Sequence, residues 1–226
     1  MRYTTLLLDL DGTLLDFHKS QKATFFDCFP GATEALYDQY EAINLAQWQR
    51  LERGEATRDE ILRERFVRFL RETNLPGEPD ELNRRYLDRL ADGCDLIDGA
   101  REALEQLAKT CTLIAVTNGI SFVQKRRLRA SGLMGYFRAV LISEEIGITK
   151  PDPRFFEKAM EIGGAADPRK VLVVGDSLTA DIAGGAAAGL DTCWFNPEKK
   201  PIPADCAPTW VVHDTMGIVK AAAGEL

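Results

Sequence analysis

Residues 4–13 read Thr-Thr-Leu-Leu-Leu-Asp-Leu-Asp-Gly-Thr. The Leu6-Leu7-Leu8 run is apolar at successive positions, as in a strand buried on both faces of a sheet. Asp9 and Asp11 follow at once, and on an extended backbone residues at i and i+2 point the same way. Gly12 then lets the chain turn away sharply. In open parallel sheets ligands bind outside the carboxyl ends of the strands. An acidic pair at such an end is therefore a candidate site, although aspartates there also serve as turn formers and helix caps. The rest of the chain decides between the two.

Working outward, apolar runs recur at Leu113–Val116, Val140–Ile142 and Val171–Val174, with weaker ones at Thr192–Phe195 and Trp210–Val212. Helical patterns over 99–109, 122–131, 153–162 and 179–188 lie between them. This alternation predicts an α/β fold, a Rossmann-like parallel sheet with helices on both faces. From about residue 20 to 93 no strand pattern occurs, only charged amphipathic stretches over 34–53, 58–73 and 79–91. Element order predicts an inserted α-helical cap after the first strand. The expected boundaries are a core of 1–15 with 96–226 and a cap of 16–95. Gly184 and Gly185, inside a helical pattern, suggest a helix pressed closely against the sheet.

The later strands carry polar residues to the same sheet edge. The second ends in Thr117-Asn118-Gly119, the third leads to Lys150-Pro151, and the fourth ends in Gly175-Asp176-Ser177 with Asp181 beyond. Each alone has a bland explanation; four together mark a site. Asp9, Asp11, Asp176 and Asp181 converge with only Lys150 to offset them, and clustered carboxylates call for a cation. All-oxygen ligands favour a hard ion, with Mg2+ beside a substrate phosphate a better fit than calcium. A carboxylate beside magnesium and a lysine can attack phosphorus to give an aspartyl phosphate. Thr117 and nearby N–H groups would hold phosphoryl oxygens, and Lys150 would offset their charge. Asp11 is placed to protonate the leaving oxygen and then to activate water.

Composition bounds the partners. The chain has 226 residues, 45% hydrophobic and 28% charged, with 35 acidic against 28 basic residues and a net charge of −7. Such a surface repels polymeric nucleic acid, and Lys125-Arg126-Arg127 with Arg129 reads as a solvated helix face. A small phosphorylated metabolite is the expected partner. No apolar run approaches the ~18 residues of a membrane span, and Met1–Thr5 does not open a secretory signal. The five cysteines are scattered without CxxC spacing, as expected of reduced thiols in a soluble cytoplasmic protein, either a monomer or a small homo-oligomer.

DLDGT at 9–13, TNG at 117–119, Lys150 before proline and GDSLTAD at 175–181 together resemble the haloacid dehalogenase superfamily of phosphohydrolases. The resemblance spans the chain. It implies Asp9 as nucleophile, Asp11 as acid/base, and magnesium held by Asp9, the Asp11 carbonyl and Asp176, with Asp181 supporting from behind. It also implies Thr117, Asn118 and Lys150 around the phosphate. Asp16-Phe17, TNGISFVQKRRL at 117–128 and SEEIGITKPDPRFF at 143–156 resemble the pyrimidine and related 5′-nucleotidase branch, whose members hydrolyse nucleoside monophosphates. True dehalogenases of the superfamily lack the second aspartate.

Phosphoglycolate or sugar-phosphate hydrolysis and a phosphomutase of the sugar-phosphate type share these motifs. Outside hydrolysis, a phospho-aspartate switch or a non-catalytic binding module shares the fold. Substrate choice would lie in the cap and its hinges. Phe17, His18 and Lys19 are candidates beside the nucleophile. Trp48 and Phe66 are candidates for stacking on a base, although aromatics at helical spacing are more often core.

Overall fold

The computed structural model describes residues 1–225. Its six strands are β1 (Thr5–Leu8), β2 (Thr112–Thr117), β3 (Ala139–Ile142), β4 (Val171–Gly175), β5 (Asp191–Phe195) and β6 (Trp210–Val212). All neighbours pair in parallel, in the order β3-β2-β1-β4-β5-β6. After β1 come α1 (Phe17–Cys28), α2 (Glu34–Glu52), α3 (Arg58–Thr73) and α4 (Pro79–Leu90). The helices α5 (Ala100–Leu107), α6 (Ser121–Ala130), α7 (Ser143–Ile146), α8 (Pro153–Gly163), α9 (Gly184–Ala187) and α10 (Thr215–Ala223) follow between and after the remaining strands.

Strand alternation explains the continuous apolar runs. Leu6 and Leu8 of β1 face one core with Leu113, Ala115, Leu172 and Val174, closed by Leu104, Leu107, Leu128 and Ile218 from α5, α6 and α10. Leu7, Ile114, Val116, Val171 and Val173 face the other, covered by Phe155, Phe156 and Ala159 of α8. Because both faces are buried, the central strands run apolar through Leu6–Leu8 and Val171–Val174. At α9 a Cβ on Gly185 would stand 2.9 Å from Thr192 Cγ2 and 3.0 Å from Val173 Cγ2, so the helix backbone rests against β4 and β5.

The chain divides into two compact units, Met1–Phe17 with the chain from Cys94 onward, and His18–Gly93. The second is wholly helical among its regular elements. Thr57 and Glu60 start α3 with a reciprocal capping box, worth about 1 kcal/mol. The unit's centre is aromatic: Tyr40 stacks on Phe66 with centroids 5.5 Å apart, and Tyr86 meets the Phe66 edge at 5.6 Å. Phe66 is fully buried there, so the sequence expectation that it stacks on a substrate base is corrected: its face is already occupied by Tyr40. Trp48 is half-buried on α2. A polar chain also crosses the unit's four helices: Asn44 Nδ2 donates to Gln21 Oε1 (3.1 Å), while Arg65 donates to Asn44 Oδ1 (3.0 Å) and Asn83 Oδ1 (2.8 Å).

No helix among the described residues is long and apolar enough to cross a membrane. The cysteines are free; Cys28, Cys111 and Cys193 are buried and Cys94 and Cys206 half-buried.

Candidate active site

Strand order reverses between β1 and β4, because the chain runs outward through β2 and β3 and then returns to the other side of β1. That is where an open parallel sheet binds ligands. Leu8 pairs with Val174 in register, and the Asp9 N–H donates to the Val174 carbonyl at 2.9 Å. Asp9 and Asp176 are thereby brought side by side at the carboxyl edge, one after each central strand.

Lys150, on the segment between α7 and α8, is buried and bridges the site. Its Nζ donates to Asp9 Oδ1 (2.7 Å), Asp181 Oδ1 (2.6 Å) and the Val116 carbonyl (3.1 Å). All three ammonium hydrogens are thus engaged by the protein. Burial alone would push the Lys150 amine down, but the Asp181 and Asp9 carboxylates overcome it and hold the group above its ordinary range. Asn118 secures this segment from β2: its Nδ2 donates to the Lys150 carbonyl (2.9 Å) and its Oδ1 accepts from the Lys150 N–H (3.0 Å). In this arrangement Asn118 holds the lysine in place.

Asp181 lies on a π-helical turn, Leu178–Ala183. The N–H groups of Asp181 and Ile182 both reach the Ser177 carbonyl, and Asp181 Oδ2 accepts from the Ser177 N–H at 3.2 Å. Asp176 is open to solvent as a residue, but its carboxylate lies against Gly12. A Cβ added there would stand 2.5 Å from Asp176 Oδ2, and the Gly12 φ of +83° itself favours glycine. Trp194 Nε1 donates to the Asp176 carbonyl at 2.9 Å, anchoring the loop to β5.

Oxygens of Asp9, Asp176 and Asp181 lie within 4.8 Å of one another. Burial in the site and the Asp181 charge push Asp176 up to about 7. Burial likewise raises Asp9 well above the usual carboxylate range; Lys150 opposes this, while Asp181 and Asp176 reinforce it. Three converging carboxylates with one ammonium are a donor set that a hard divalent cation would relieve, and with neither His nor Cys in the group the chemistry fits Mg2+.

Asp11 is not in that group. Its Oδ1 forms an ion pair with Arg127 Nη1, and its Oδ2 accepts from Gln124 Nε2 at 2.7 Å. Gln124 Nε2 also donates to Thr117 Oγ1 at 2.8 Å, and the Gly119 N–H reaches the same oxygen at 3.0 Å. With two bonds accepted, the Thr117 hydroxyl hydrogen remains to be donated. Arg127 is fully buried, which corrects the reading of 125–129 as one solvated face. Lys125 does pair with the half-exposed Glu145, but the helical turn carries Arg127 inward beside Val123 and Leu128. Spacing gives the signal: Ile120, Val123, Gln124, Arg127 and Leu128 share one side of the helix, the apolar stripe that faces a core.

Phe17 closes this side, its ring centroid 5.9 Å from the Arg127 guanidinium carbon. His18 and Lys19 are exposed on the first turn of α1, with His18 Nδ1 3.2 Å from Glu41 Oε1.

A family model described as haloacid dehalogenase-like hydrolase matches residues 3–189. The chain is similar to the HAD-hydrolase YfnB of Bacillus subtilis (strain 168), 39% identical over 216 residues that cover 94% of this chain and 92% of that one. A crystal structure of YfnB bound to magnesium aligns with a TM-score of 0.91 at 37% identity, covering 98% of this chain and 99% of that one. The chain is also similar to the pyrimidine 5′-nucleotidases YjjG of Escherichia coli (strain K12), 34% identical over 94% of each chain, and PynA of Streptococcus pneumoniae (strain ATCC BAA-255 / R6), 36% identical over 94% of this chain and 92% of that one.

Proposed function

The chain belongs to the haloacid dehalogenase-like hydrolase family, and we propose that it is a magnesium-dependent phosphomonoesterase working through an aspartyl phosphate on Asp9. Its substrates are small phosphorylated metabolites, nucleoside monophosphates first among them. The observation that carries the chemistry is the buried Asp9 at the strand-order reversal, fixed through one oxygen by Lys150 and flanked by Asp176 and Asp181.

Asp9, Asp176 and the Asp11 main-chain carbonyl would hold the ion, with Asp181 supporting the set through Lys150. Bound there, magnesium would neutralise the carboxylates and the charge on the phosphoryl oxygens. Lys150 engages Asp9 Oδ1, which leaves Oδ2 to attack phosphorus. A bond forms from that oxygen to phosphorus while the ester P–O bond breaks. Asp11 gives its proton to the leaving oxygen. It then takes a proton from a water that attacks phosphorus, the Asp9–phosphorus bond breaks, and inorganic phosphate departs with Asp9 restored. Thr117 donates its hydroxyl hydrogen to a phosphoryl oxygen, and Asn118 keeps Lys150 in place throughout.

The likeness to two pyrimidine 5′-nucleotidases supports the nucleotide class. Phosphate release from pyrimidine and purine monophosphates, sugar phosphates and phosphoglycolate, with Mg2+ and with chelator, tests the reading. Magnesium-dependent preference for pyrimidine monophosphates is expected. Preference for a sugar phosphate would discard the substrate class, and turnover undiminished in chelator would discard the metal.

A further inference from the structure

We propose that Gln124 and Arg127 are positioning residues that hold Asp11 in place for proton transfer, with Gln124 also setting the Thr117 hydroxyl. The inference rests on Asp11 acting as acid and base in the proposed reaction. The helix α6 presents the two side chains three residues apart, hence on one face, and both are buried. Each Asp11 oxygen has its own donor, Arg127 for Oδ1 and Gln124 for Oδ2. Arg127 Nη1 also approaches Gln124 Oε1 at 3.4 Å, which orients the amide so that its NH2 group faces Asp11 and Thr117. The two amide hydrogens are divided between these residues.

Two arguments favour positioning over mere packing. Burying a guanidinium is costly even when it is paired, and apolar residues of similar volume often stabilise as well or better. Val123 and Leu128 beside it show what simple packing uses here. Further, the two donors meet different oxygens of Asp11, so they fix the orientation of the carboxylate as well as its place. An Asp11 side chain without them would be free to rotate away from the leaving group. The clamp prevents that rotation.

The test compares kcat/KM for a nucleoside monophosphate with kcat/KM for p-nitrophenyl phosphate, whose leaving oxygen departs as a stabilised anion and needs no proton. Misplacing a reacting group by about 1 Å costs on the order of 100-fold. Arg127→Met should therefore lower the nucleotide-to-nitrophenyl ratio by about one to two powers of ten. Arg127→Lys should recover part of it. Gln124→Leu should lower the same ratio and also weaken both substrates together, because Thr117 is released as well. Equal loss on both substrates in every variant would overturn the proposal. Thermal melts identify any variant that does not fold; if Arg127→Met is one, Arg127→Lys and Gln124→Leu decide by the same ratio. Asp11→Asn is measured in parallel. If it lowers the ratio while the Arg127 and Gln124 variants do not, the clamp is wrong and the acid role stands. If Asp11→Asn leaves the ratio unchanged, the acid role fails and the clamp with it.

Discussion

Lys150 gives each of its ammonium hydrogens to a buried acceptor, two of them carboxylates. Lys150→Met leaves Asp9 and Asp181 facing each other without a cation. Breaking a buried pair in this way costs about 3–5 kcal/mol, so the variant should lose both turnover and several degrees of thermal midpoint, read by a melt. Asp9→Asn differs: it keeps the shape and removes the oxygen proposed to attack phosphorus, and phosphate release should fall to the assay background with the fold intact by circular dichroism. Asp9 was legible in the sequence because it directly follows a strand, where a polar group has few reasons to interrupt an apolar run, and Lys150 because it stands before Pro151 in the loop beyond the third strand. Gln124 and Arg127 were not, because Lys125-Arg126-Arg127 reads as a charge run until its helical phase is fixed by Val123 and Leu128.

At the scale of elements, the strands follow the apolar runs within a residue or so, since burial on both faces leaves no ambiguity of pattern. The helices at 34–52, 58–73 and 79–90 stand where charged amphipathic spacing placed them. By contrast, α1 was hard to read, since its buried face includes Ser20, Gln21 and Thr24 beside Phe25. The polar chain accounts for Gln21, which accepts from Asn44 inside the helical unit. The π-helical turn at 178–183 was also invisible, because it comes from Ser177 accepting two successive N–H groups and not from any residue preference. Phe66 makes the element-level prediction. Phe66→Ala should destabilise the helical unit by about 3–5 kcal/mol, seen as a lower urea midpoint. A selective rise in KM for nucleotides at unchanged stability would contradict its place in the aromatic cluster.

For the whole molecule, the carboxylate cluster should tie stability to pH and, through the proposed ion, to Mg2+. Asp176 sits at about 7 in the folded chain against an ordinary 3.8. Between those values the folded chain keeps a proton that the unfolded chain has shed, so this group's contribution is full below about pH 4 and is lost as pH rises toward 7. In chelator, stability should therefore decline over that interval relative to Asp176→Asn, which removes the titration. A cation needs the carboxylate ionised, so the thermal shift on adding Mg2+ should be larger near about pH 8 than near about pH 5. A shift that shrinks as pH rises would contradict the assignment. The net charge of −7 adds a general repulsion of polyanions.

The most direct measurement is to quench the protein in acid during turnover of a nucleoside monophosphate with Mg2+ and to map any phosphoryl group by peptide mass spectrometry. The account predicts one phosphoryl group on the peptide carrying Asp9, lost on treatment with hydroxylamine and absent in Asp9→Asn. Sustained phosphate release by Asp9→Asn, or a phosphoryl group on a different residue, would contradict it.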